Sequence, residues 1–421
     1  MRHLPTLACP KKEEPVSRDP YEDYHLRRVV NASGTLTAYG QSVILPAAVE
    51  AMAAAAPLFF EMDQLHGRAS QLIARLSGAE AGFVTSCAAA GLTLGVAACM
   101  TGTDPGQIAQ LPDTSGMKDE VLIQLGHCVD YGAPVTQGIR LAGAKVKTVG
   151  TVNGTARRLF DASFSPQTVA AMYVVSHHTV QYGQLPLEAF VDTAHAHGVP
   201  VIVDLAAEEH MLPQVIAAGA DLVICSGHKH FRGPTSGVMA GRRDLIQAAY
   251  AQNRGIGRGM KIGKEGIIGL MAALEAWDSG YVQAQQEAEK ARVLRFVARL
   301  RDVAGVTAEV VWPAPDPFPI MRAKVSVDPA HAGLTAMALS VLLAEGDPTV
   351  KTRGHHVDEG YFLIDPLNLT DAEMDFIAAR IVAIVAQPPQ EKAAVVARLA
   401  GLSAADLWAR QDDWPYFHSG D

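Results

Sequence analysis

The apolar residues of this chain fall into short runs that alternate with segments of helical spacing. Mostly apolar runs occupy 121–125, 199–203 and 220–225, and β-branched residues are frequent in them. Such runs are typical of strands that are covered on both faces of a parallel sheet. Because helical segments such as 187–197 stand between the runs, the pattern predicts an α/β fold with an open, mostly parallel central sheet flanked by helices.

The pattern changes after the last of these runs. Helical spacing continues over 265–303, with a break near 278–280. Apolar and polar residues then alternate over 321–328, which predicts a strand with one face in solvent, and Arg322 is among the polar positions. A strand of this kind is typical of a domain with a sheet that is covered on one side only.

The end of the chain carries a helix-start signal. Thr370 and Glu373 have the spacing of a capping box, which predicts a helix that continues to about residue 386. Together these patterns predict five parts of the chain. They are an N-terminal arm (1–44), a large domain (45–265), a linking helical stretch (266–303), a smaller C-terminal α+β domain (304–390) and a tail (391–421).

Two charged residues follow neighbouring apolar runs. Asp204 ends one run, and Lys229 comes 25 residues later, one strand–helix–strand step along the chain. Desolvation at a strand end lowers the pKa of a lysine, as a Schiff-base nucleophile requires. A carboxylate on the adjacent strand can keep the nitrogen of a pyridine cofactor protonated. Each residue alone is also compatible with an ordinary role, Lys229 at the surface and Asp204 as a helix cap.

A third feature is suited to binding phosphate. A short apolar run ends at Thr85, and small residues of helical spacing begin directly after Ser86, Cys87 and Ala88. The free N–H groups and the positive dipole end of a helix N-terminus bind anions, and small residues allow close approach. An ordinary core helix with a serine cap has the same pattern, so this feature depends on its neighbours in the site.

The order of phosphate-binding turn, strand-end aspartate and Ser-Gly-His-Lys resembles fold-type I enzymes that use pyridoxal 5'-phosphate (PLP). Within them the chain is similar to the selenocysteine synthase-like group, on its branch of D-glucosaminate-6-phosphate ammonia-lyase-like proteins. The resemblance spans roughly residues 20 to 385. The matching stretches are 30–34, 86–91, 126–135, 140–143, 260–265 and 345–348.

The resemblance implies roles for individual residues of the candidate site. Lys229 forms the Schiff base with PLP, and Asp204 pairs with the pyridine nitrogen. Ser86, Cys87 and Ala88 hold the phosphate, and Ser226 adds a hydroxyl group. His127 lies where relatives place an aromatic residue over the cofactor ring, and its pKa near neutrality also suits proton transfer. An ordinary loop histidine is the alternative for His127.

Three further residues are candidates at the same site. His178 or Gln181 is expected to reach the phenolate oxygen of PLP, although their spacing departs from the pattern of cysteine desulfurases. Arg353 is expected to clamp the substrate carboxylate, because fold-type I enzymes commonly use an arginine of the small domain in this way. A surface arginine is the alternative for Arg353.

Composition narrows the partners and the compartment. The net charge of −9 argues against binding to a nucleic acid, and no apolar run is long enough to span a membrane. The five cysteines lack CxxC spacing, which favours reduced thiols in the cytoplasm and no metal site; they are Cys9, Cys87, Cys99, Cys128 and Cys225. A homodimer or higher homo-oligomer is expected, because the arm and a basic segment are placed to meet a neighbouring subunit. The basic residues are Arg254, Arg258, Lys261 and Lys264.

These observations predict a PLP-dependent lyase of the ammonia-lyase type. Its expected substrate is a 2-amino-3-hydroxy acid, with sugar-derived acids included, and its products are a 2-oxo acid and ammonia. Three alternatives stay open. The first is an amino acid racemase with His127 or Cys128 as the second base, and the second is a selenium or sulfur transferase. The third is a protein of the same fold that senses a ligand without turnover.

Overall fold

The computed structural model describes residues 19–312 and 321–409. Residues 1–18 of the predicted arm, with Cys9, and residues 410–421 of the tail lie outside this range. The strands are β1 (Val29–Ala32), β2 (Ala81–Thr85), β3 (Glu120–Gln124), β4 (Lys145–Val149), β5 (Thr168–Val174), β6 (Val201–Asp204), β7 (Leu222–Ser226), β8 (Gly237–Gly241), β9 (Val306–Val311), β10 (Arg322–Val327), β11 (Thr349–Thr352) and β12 (Tyr361–Ile364).

Helices surround these strands. They are α1 (Pro20–Asp23), α2 (Pro46–Ala55), α3 (Met62–Ser77), α4 (Ala88–Thr101), α5 (Pro105–Gln110), α6 (Val135–Leu141), α7 (Arg157–Asp161), α8 (Leu187–Ala196), α9 (Leu212–Ala217), α10 (Arg243–Ala251), α11 (Lys264–Ala276), α12 (Val282–Arg299), α13 (Pro329–Ala332), α14 (Ala336–Glu345), α15 (Asp371–Val385), α16 (Pro389–Arg398) and α17 (Ala404–Ala409). Within the described ranges, no helix is both long and apolar enough to cross a membrane.

The central sheet has seven strands in the order β2-β8-β7-β6-β5-β3-β4. All neighbours from β7 to β4 pair in parallel, and β8 runs antiparallel to both β7 and β2. Alternate residues enter the cores on opposite faces, so that Val121 and Ile123 pack on one side and Leu122 on the other. The prediction of a mostly parallel sheet flanked by helices is therefore confirmed.

The topology brings the candidate residues to one edge of this sheet. β6 and β7 are parallel neighbours, so Asp204 at the end of β6 lies beside the turn 227–230 that follows β7. β2 is antiparallel to β8 and therefore has the same direction as β7, which brings its last residue to that edge as well. The carboxyl ends of parallel strands are where ligands bind in open α/β sheets.

A second core lies around the antiparallel sheet β12-β10-β9 and the parallel pair of β1 with β11. Val30 and Ala32 of β1 pack in the same apolar cluster as Phe362 of β12 and Ile377 of α15. An N-terminal segment thus completes a layer built from the other end of the chain. The domain boundaries given above stay a prediction.

Several local predictions for this half of the chain are confirmed. Thr370 and Glu373 form both hydrogen bonds of a capping box at the start of α15. The helical stretch is interrupted after α11, where Gly280 has a φ of 80° before α12 begins. The prediction that Arg322 of β10 faces solvent is wrong. Arg322 is 7% exposed and forms an ion pair with buried Asp365 at 2.6 Å. A buried carboxylate, which the local pattern does not reveal, provides its partner.

Candidate active site

Asp204 is the carboxylate at the base of the site. It is 4% exposed, and its Oδ1 accepts a hydrogen bond from the Ala206 N–H at 3.1 Å. Burial raises the pKa of Asp204 to about 6, and the positive charge of Lys229 opposes this shift. Lys229 lies half-buried in the turn after β7, so its ammonium group and the carboxylate act on each other across the site. A buried carboxylate of this kind is stabilised by a cation such as a protonated pyridine nitrogen.

A second buried acid supports the turn that carries Lys229. Oε1 of Glu209 accepts the N–H of His230 at 3.2 Å, while Oε2 is buried without a hydrogen-bond partner in the described chain. Burial raises the pKa of Glu209 to about 8, so this group holds a proton at neutral pH. Glu209 was not identified from the sequence, because an acid a few residues past a strand is usually a solvated loop residue.

Glu209→Gln should make the stability of the folded protein less dependent on pH. Because the folded-state pKa of Glu209 lies above the ordinary value of 4.5, the stability present below that value is lost as the pH rises toward about 8. Removing this group should reduce the slope by at most about 1.4 kcal/mol per pH unit. Thermal unfolding of the holoenzyme from pH 5 to 8 measures it, with exposed Glu188→Gln as the control. Parallel curves for wild type and Glu209→Gln would contradict the prediction.

The turn between β2 and α4 has the geometry of an anion site. Cys87 is the N-cap of α4, and its Sγ accepts the N–H of Ala90 at 3.4 Å. The N–H groups of Ala88 and Ala89 have no acceptor among the described residues, and Ala89 is exposed, so this helix end is open. Ser86 is half-buried beside it.

The backbone of β8 closes this turn from behind. A Cβ on Gly237 would lie 2.4 Å from Oγ1 of Thr85 and 2.5 Å from the carbonyl oxygen of Cys87. No side chain fits between these groups. Glycine at position 237 therefore allows the turn between β2 and α4 to approach the backbone of β8 closely.

Gly237→Ala should lower the free energy of unfolding by about 1–3 kcal/mol, because the new methyl group overlaps the turn. The displaced turn should also retain the cofactor less well during dialysis. The control is Gly67→Ala in α3, where a Cβ meets no atom within 4 Å and alanine should be neutral or stabilising by up to about 1 kcal/mol. Equal stability of the two variants would contradict the prediction.

Ser226 lies at the end of β7 and is 2% exposed. Its Oγ is 3.4 Å from Nδ1 of His228, and that nitrogen accepts the N–H of Ser236 at 3.2 Å. His228, the residue directly before Lys229, thus links the end of β7 to the start of β8. The hydroxyl contact of Ser226 with a phosphate stays a prediction.

His127 is fixed as a neutral ring. Its Nδ1 accepts the N–H of Val174 at 3.1 Å, and it packs edge-on against Tyr173 with ring centroids 4.4 Å apart. Burial lowers the pKa of His127 to about 4. An imidazole held in one orientation, with the proton on Nε2, suits ring packing better than proton transfer. The adjacent thiol of Cys128 donates to the carbonyl of Gln124 at 3.7 Å, and burial raises its pKa.

The loop after β5 carries the other two cofactor candidates. Nε2 of Gln181 donates to the carbonyl oxygens of Ser176 and Thr179 at 3.0 and 2.7 Å, so this amide mainly closes its own loop. Partial desolvation and the positive charges of Arg353 and Lys229 lower the pKa of His178. His178 therefore lies near enough to both cations for their charges to act on its ring.

Arg353 follows β11 and is 8% exposed. Its Nη2 lies 2.8 Å from Nε2 of His177, and its Nη1 donates to the carbonyl of Ser33 at 3.3 Å. Burial and the charge of Arg322 lower its pKa to about 10. Within 19–312 and 321–409, no carboxylate lies within ion-pair distance of this guanidinium. His177 was not identified from the sequence. Its neighbour His178 was predicted as a cofactor contact instead.

Comparisons with known proteins agree with this geometry. The family model described as SelA, L-seryl-tRNA selenium transferase, matches residues 29–333. This chain belongs to the SelA family. Among its SelA-family relatives, a D-glucosaminate-6-phosphate ammonia lyase of Salmonella typhimurium is 40% identical over 86% of this chain and 96% of that protein. A 5'-C-glycyluridine monooxygenase-decarboxylase of a Streptomyces species is 35% identical over 86% of this chain and 90% of that protein.

Solved structures extend the comparison to the fold of this SelA-family protein. A structure of D-glucosaminate-6-phosphate ammonia-lyase matches with a TM-score of 0.82 at 38% identity, covering 90% of this chain and all of that one. A NifS-like protein shares the fold alone, with a TM-score of 0.54 at 18% identity over 85% of this chain and 99% of that one. The predicted fold-type I architecture, PLP cofactor and lyase of the ammonia-lyase type are confirmed.

The residues of this SelA-family site fit PLP. A lysine lies close enough to a buried carboxylate for its charge to lower the pKa of that acid. At the same sheet edge lies a helix end with two N–H groups that have no acceptor among the described residues. Lys229, Asp204 and the turn at Ser86–Ala88 would hold the cofactor, with His127 beside the ring. Bound PLP supplies an acceptor for the electrons of a carbanion at the α-carbon of the substrate.

Proposed function

We propose that this enzyme catalyses α,β-elimination on a sugar-derived 2-amino-3-hydroxy acid and releases ammonia and a 2-oxo acid. The similarity to D-glucosaminate-6-phosphate ammonia lyase, at 40% identity over 86% of the chain, is the observation that carries this proposal. The site supports it with a lysine for the α-proton and with Arg353, a cation that has no carboxylate within ion-pair distance among the described residues. A small-molecule substrate follows from both.

Three side chains divide the work. Arg353 binds the carboxylate and fixes the substrate. Lys229 would hold the cofactor and, when free of it, would accept the α-proton on Nζ. Asp204 would pair with the pyridine nitrogen of the cofactor and favour its protonated form. The β-hydroxyl group leaves with a proton as water, and the released enamine hydrolyses to the 2-oxo acid and ammonia.

The racemase alternative needs a second base on the other side of the α-carbon. The two candidates for that base are poorly suited to it. Nδ1 of His127 accepts a backbone N–H, and its lowered pKa keeps the ring a weak base. The thiol of Cys128 has a raised pKa, so it stays protonated. These contacts favour elimination over racemisation.

A panel of amino acids tests the reaction. The holoenzyme is incubated with D- and L-serine, alanine and 2-amino-2-deoxy sugar acids with and without a terminal phosphate, while 2-oxo acid, ammonia and optical rotation are followed together. We expect ammonia from hydroxy substrates and none from alanine. Racemisation of alanine without ammonia from any hydroxy acid would refute the proposal. So would oxygen uptake with carbon dioxide release, which would favour chemistry like that of the Streptomyces relative.

We also propose that the enzyme is a homo-oligomer. Arg254, Arg258 and Lys261 are exposed on the segment that follows α10, and Phe59 is 98% exposed in the loop between α2 and α3. Lys264 instead donates to the backbone carbonyls of Ala55 and Ala56 and holds that loop in place. Sedimentation at micromolar concentration should give a dimer or larger species. A fully active monomer would exclude this state.

A further inference from the structure

Arg353 and His177 meet although they come from different parts of the fold. His177 lies in the loop after β5 of the central sheet, and Arg353 follows β11, which pairs with β1. The 2.8 Å contact joins Nη2 of the arginine to Nε2 of the histidine. Because a guanidinium has only donors, Nε2 must accept, and the ring is neutral with its proton on Nδ1.

A second neutral acceptor holds the other side of the same guanidinium. The carbonyl of Ser33 accepts from Nη1 at 3.3 Å, and Ser33 is fully buried. Asn31 fixes Ser33 in turn, because its Oδ1 accepts the Ser33 N–H at 3.1 Å and the Ser33 hydroxyl at 2.7 Å. The stretch 30–34, for which the sequence predicted no role, therefore contributes to holding Arg353.

Neither of these two acceptors carries a charge. The carboxylates of Asp365 and Glu208 act on the guanidinium electrostatically, but among the described residues neither forms an ion pair with it. A carboxylate in place of His177 would neutralise Arg353 and compete with the substrate carboxylate. A cation in place of His177 would repel the guanidinium of Arg353. Partial desolvation and the neighbouring His178 and Arg353 hold the pKa of His177 well below its ordinary value, so the ring stays neutral. The remaining N–H groups of Arg353 have no acceptor in the part of the chain that the structure describes, and they can donate to an anion.

We propose that His177 is a positioning residue that orients Arg353 for the carboxylate of the substrate. The inference rests on the proposed function, in which Arg353 binds that carboxylate. It goes further by assigning carboxylate recognition to a contact between the two parts of the fold. His177 touches neither the α-proton nor the leaving group, and it acts through Arg353.

The test measures carboxylate binding separately from turnover. Glycerate carries a carboxylate and hydroxyl groups but no amine, so it binds the holoenzyme without reacting. We expect His177→Ala to weaken glycerate binding in calorimetry by about 10-fold or more, since it frees one side of a charged hydrogen-bonded group. The same variant should raise KM for the ammonia-forming substrate by a similar factor and change kcat by less than about 3-fold.

Two further variants separate positioning from a structural role. His177→Gln places an amide oxygen near the position of Nε2, and should restore glycerate binding to within about 3-fold of wild type. In an Arg353→Met background, His177→Ala should have no further effect on glycerate binding, because the two residues act as one unit. His197→Ala removes a histidine that pairs with Asp161 in the same half of the protein, and serves as the control.

The outcomes distinguish this inference from the reaction itself. If no substrate yields ammonia but glycerate binding still depends on His177, the positioning role stands and the proposed reaction is wrong. If ammonia forms and His177→Ala changes neither glycerate affinity nor KM, the positioning role is wrong. A loss of kcat alone, with unchanged glycerate affinity, would also overturn it.

Discussion

Replacing Lys229 by alanine should reduce ammonia release by at least about 10³-fold while the protein keeps its fold. The α-proton then has no acceptor, and proton transfer by a placed base contributes up to about 10⁴-fold to a rate. Lys229 lies in a half-buried turn beside Asp204, and neither neutral His127 nor protonated Glu209 is a suitable replacement. Single-turnover and steady-state assays measure the loss, with exposed Lys290→Ala on α12 as the control.

Chemical labelling checks the same residue independently of the rate. Borohydride reduction of the yellow holoenzyme should fix the cofactor covalently on Lys229, and peptide mapping identifies the site. Lys264 is the other lysine near a family-like motif, but its ammonium group is held by backbone carbonyls. A label on Lys264, or a colourless protein that PLP does not reconstitute, would contradict both the rate prediction and the assignment of the site.

Arg353→Met should lower kcat/KM by about 10²–10³-fold, because it removes the nearly buried cation that we propose as the partner of the substrate carboxylate. Arg353→Lys keeps the charge but loses the planar fork, so its activity should lie between those of the methionine variant and wild type. Arg398, which is ion-paired with Glu345 at the surface, provides the control substitution Arg398→Met.

A comparison of ligands tests whether the carboxylate is the group concerned. An amino alcohol that lacks the carboxylate should bind wild type and Arg353→Met equally well. If the amino alcohol loses affinity together with the amino acid, Arg353 stabilises the site in another way. The binding of both ligands can be followed through the absorbance of the cofactor.

The strand-end residues were predictable because the local pattern determines where they lie. An apolar run fixes a strand, the strand fixes its carboxyl end, and parallel neighbours bring such ends to one edge. Asp204 and Lys229 are together for this reason. The turn at Cys87 was predictable because a helix start depends on a few adjacent residues.

The contacts in loops and between the two cores were not predictable in this way. His177 and His178 are adjacent in an irregular loop, and no periodicity tells which of them contacts Arg353. Arg322 has the alternation of a solvent-facing position, yet it is buried because Asp365 comes from a distant strand. The hydrogen bond of Glu209 depends on the backbone path of the turn that follows β7, because the N–H of His230 in that turn is its donor. Each case is decided by a partner far away in sequence.

The pairing of β1 with β11 has a consequence for how the protein is made. Arg353 donates a hydrogen bond to the carbonyl of Ser33, and these two residues are 320 positions apart in the sequence. At a synthesis rate of about 5–20 residues per second, β1 emerges roughly 15–60 s before its partner strand exists. During that interval β1 lacks the strand with which it pairs. The contacts that hold Arg353 can therefore form only after the sheet edge with Lys229 has been synthesised, and a chain released early would carry the lysine without the arginine.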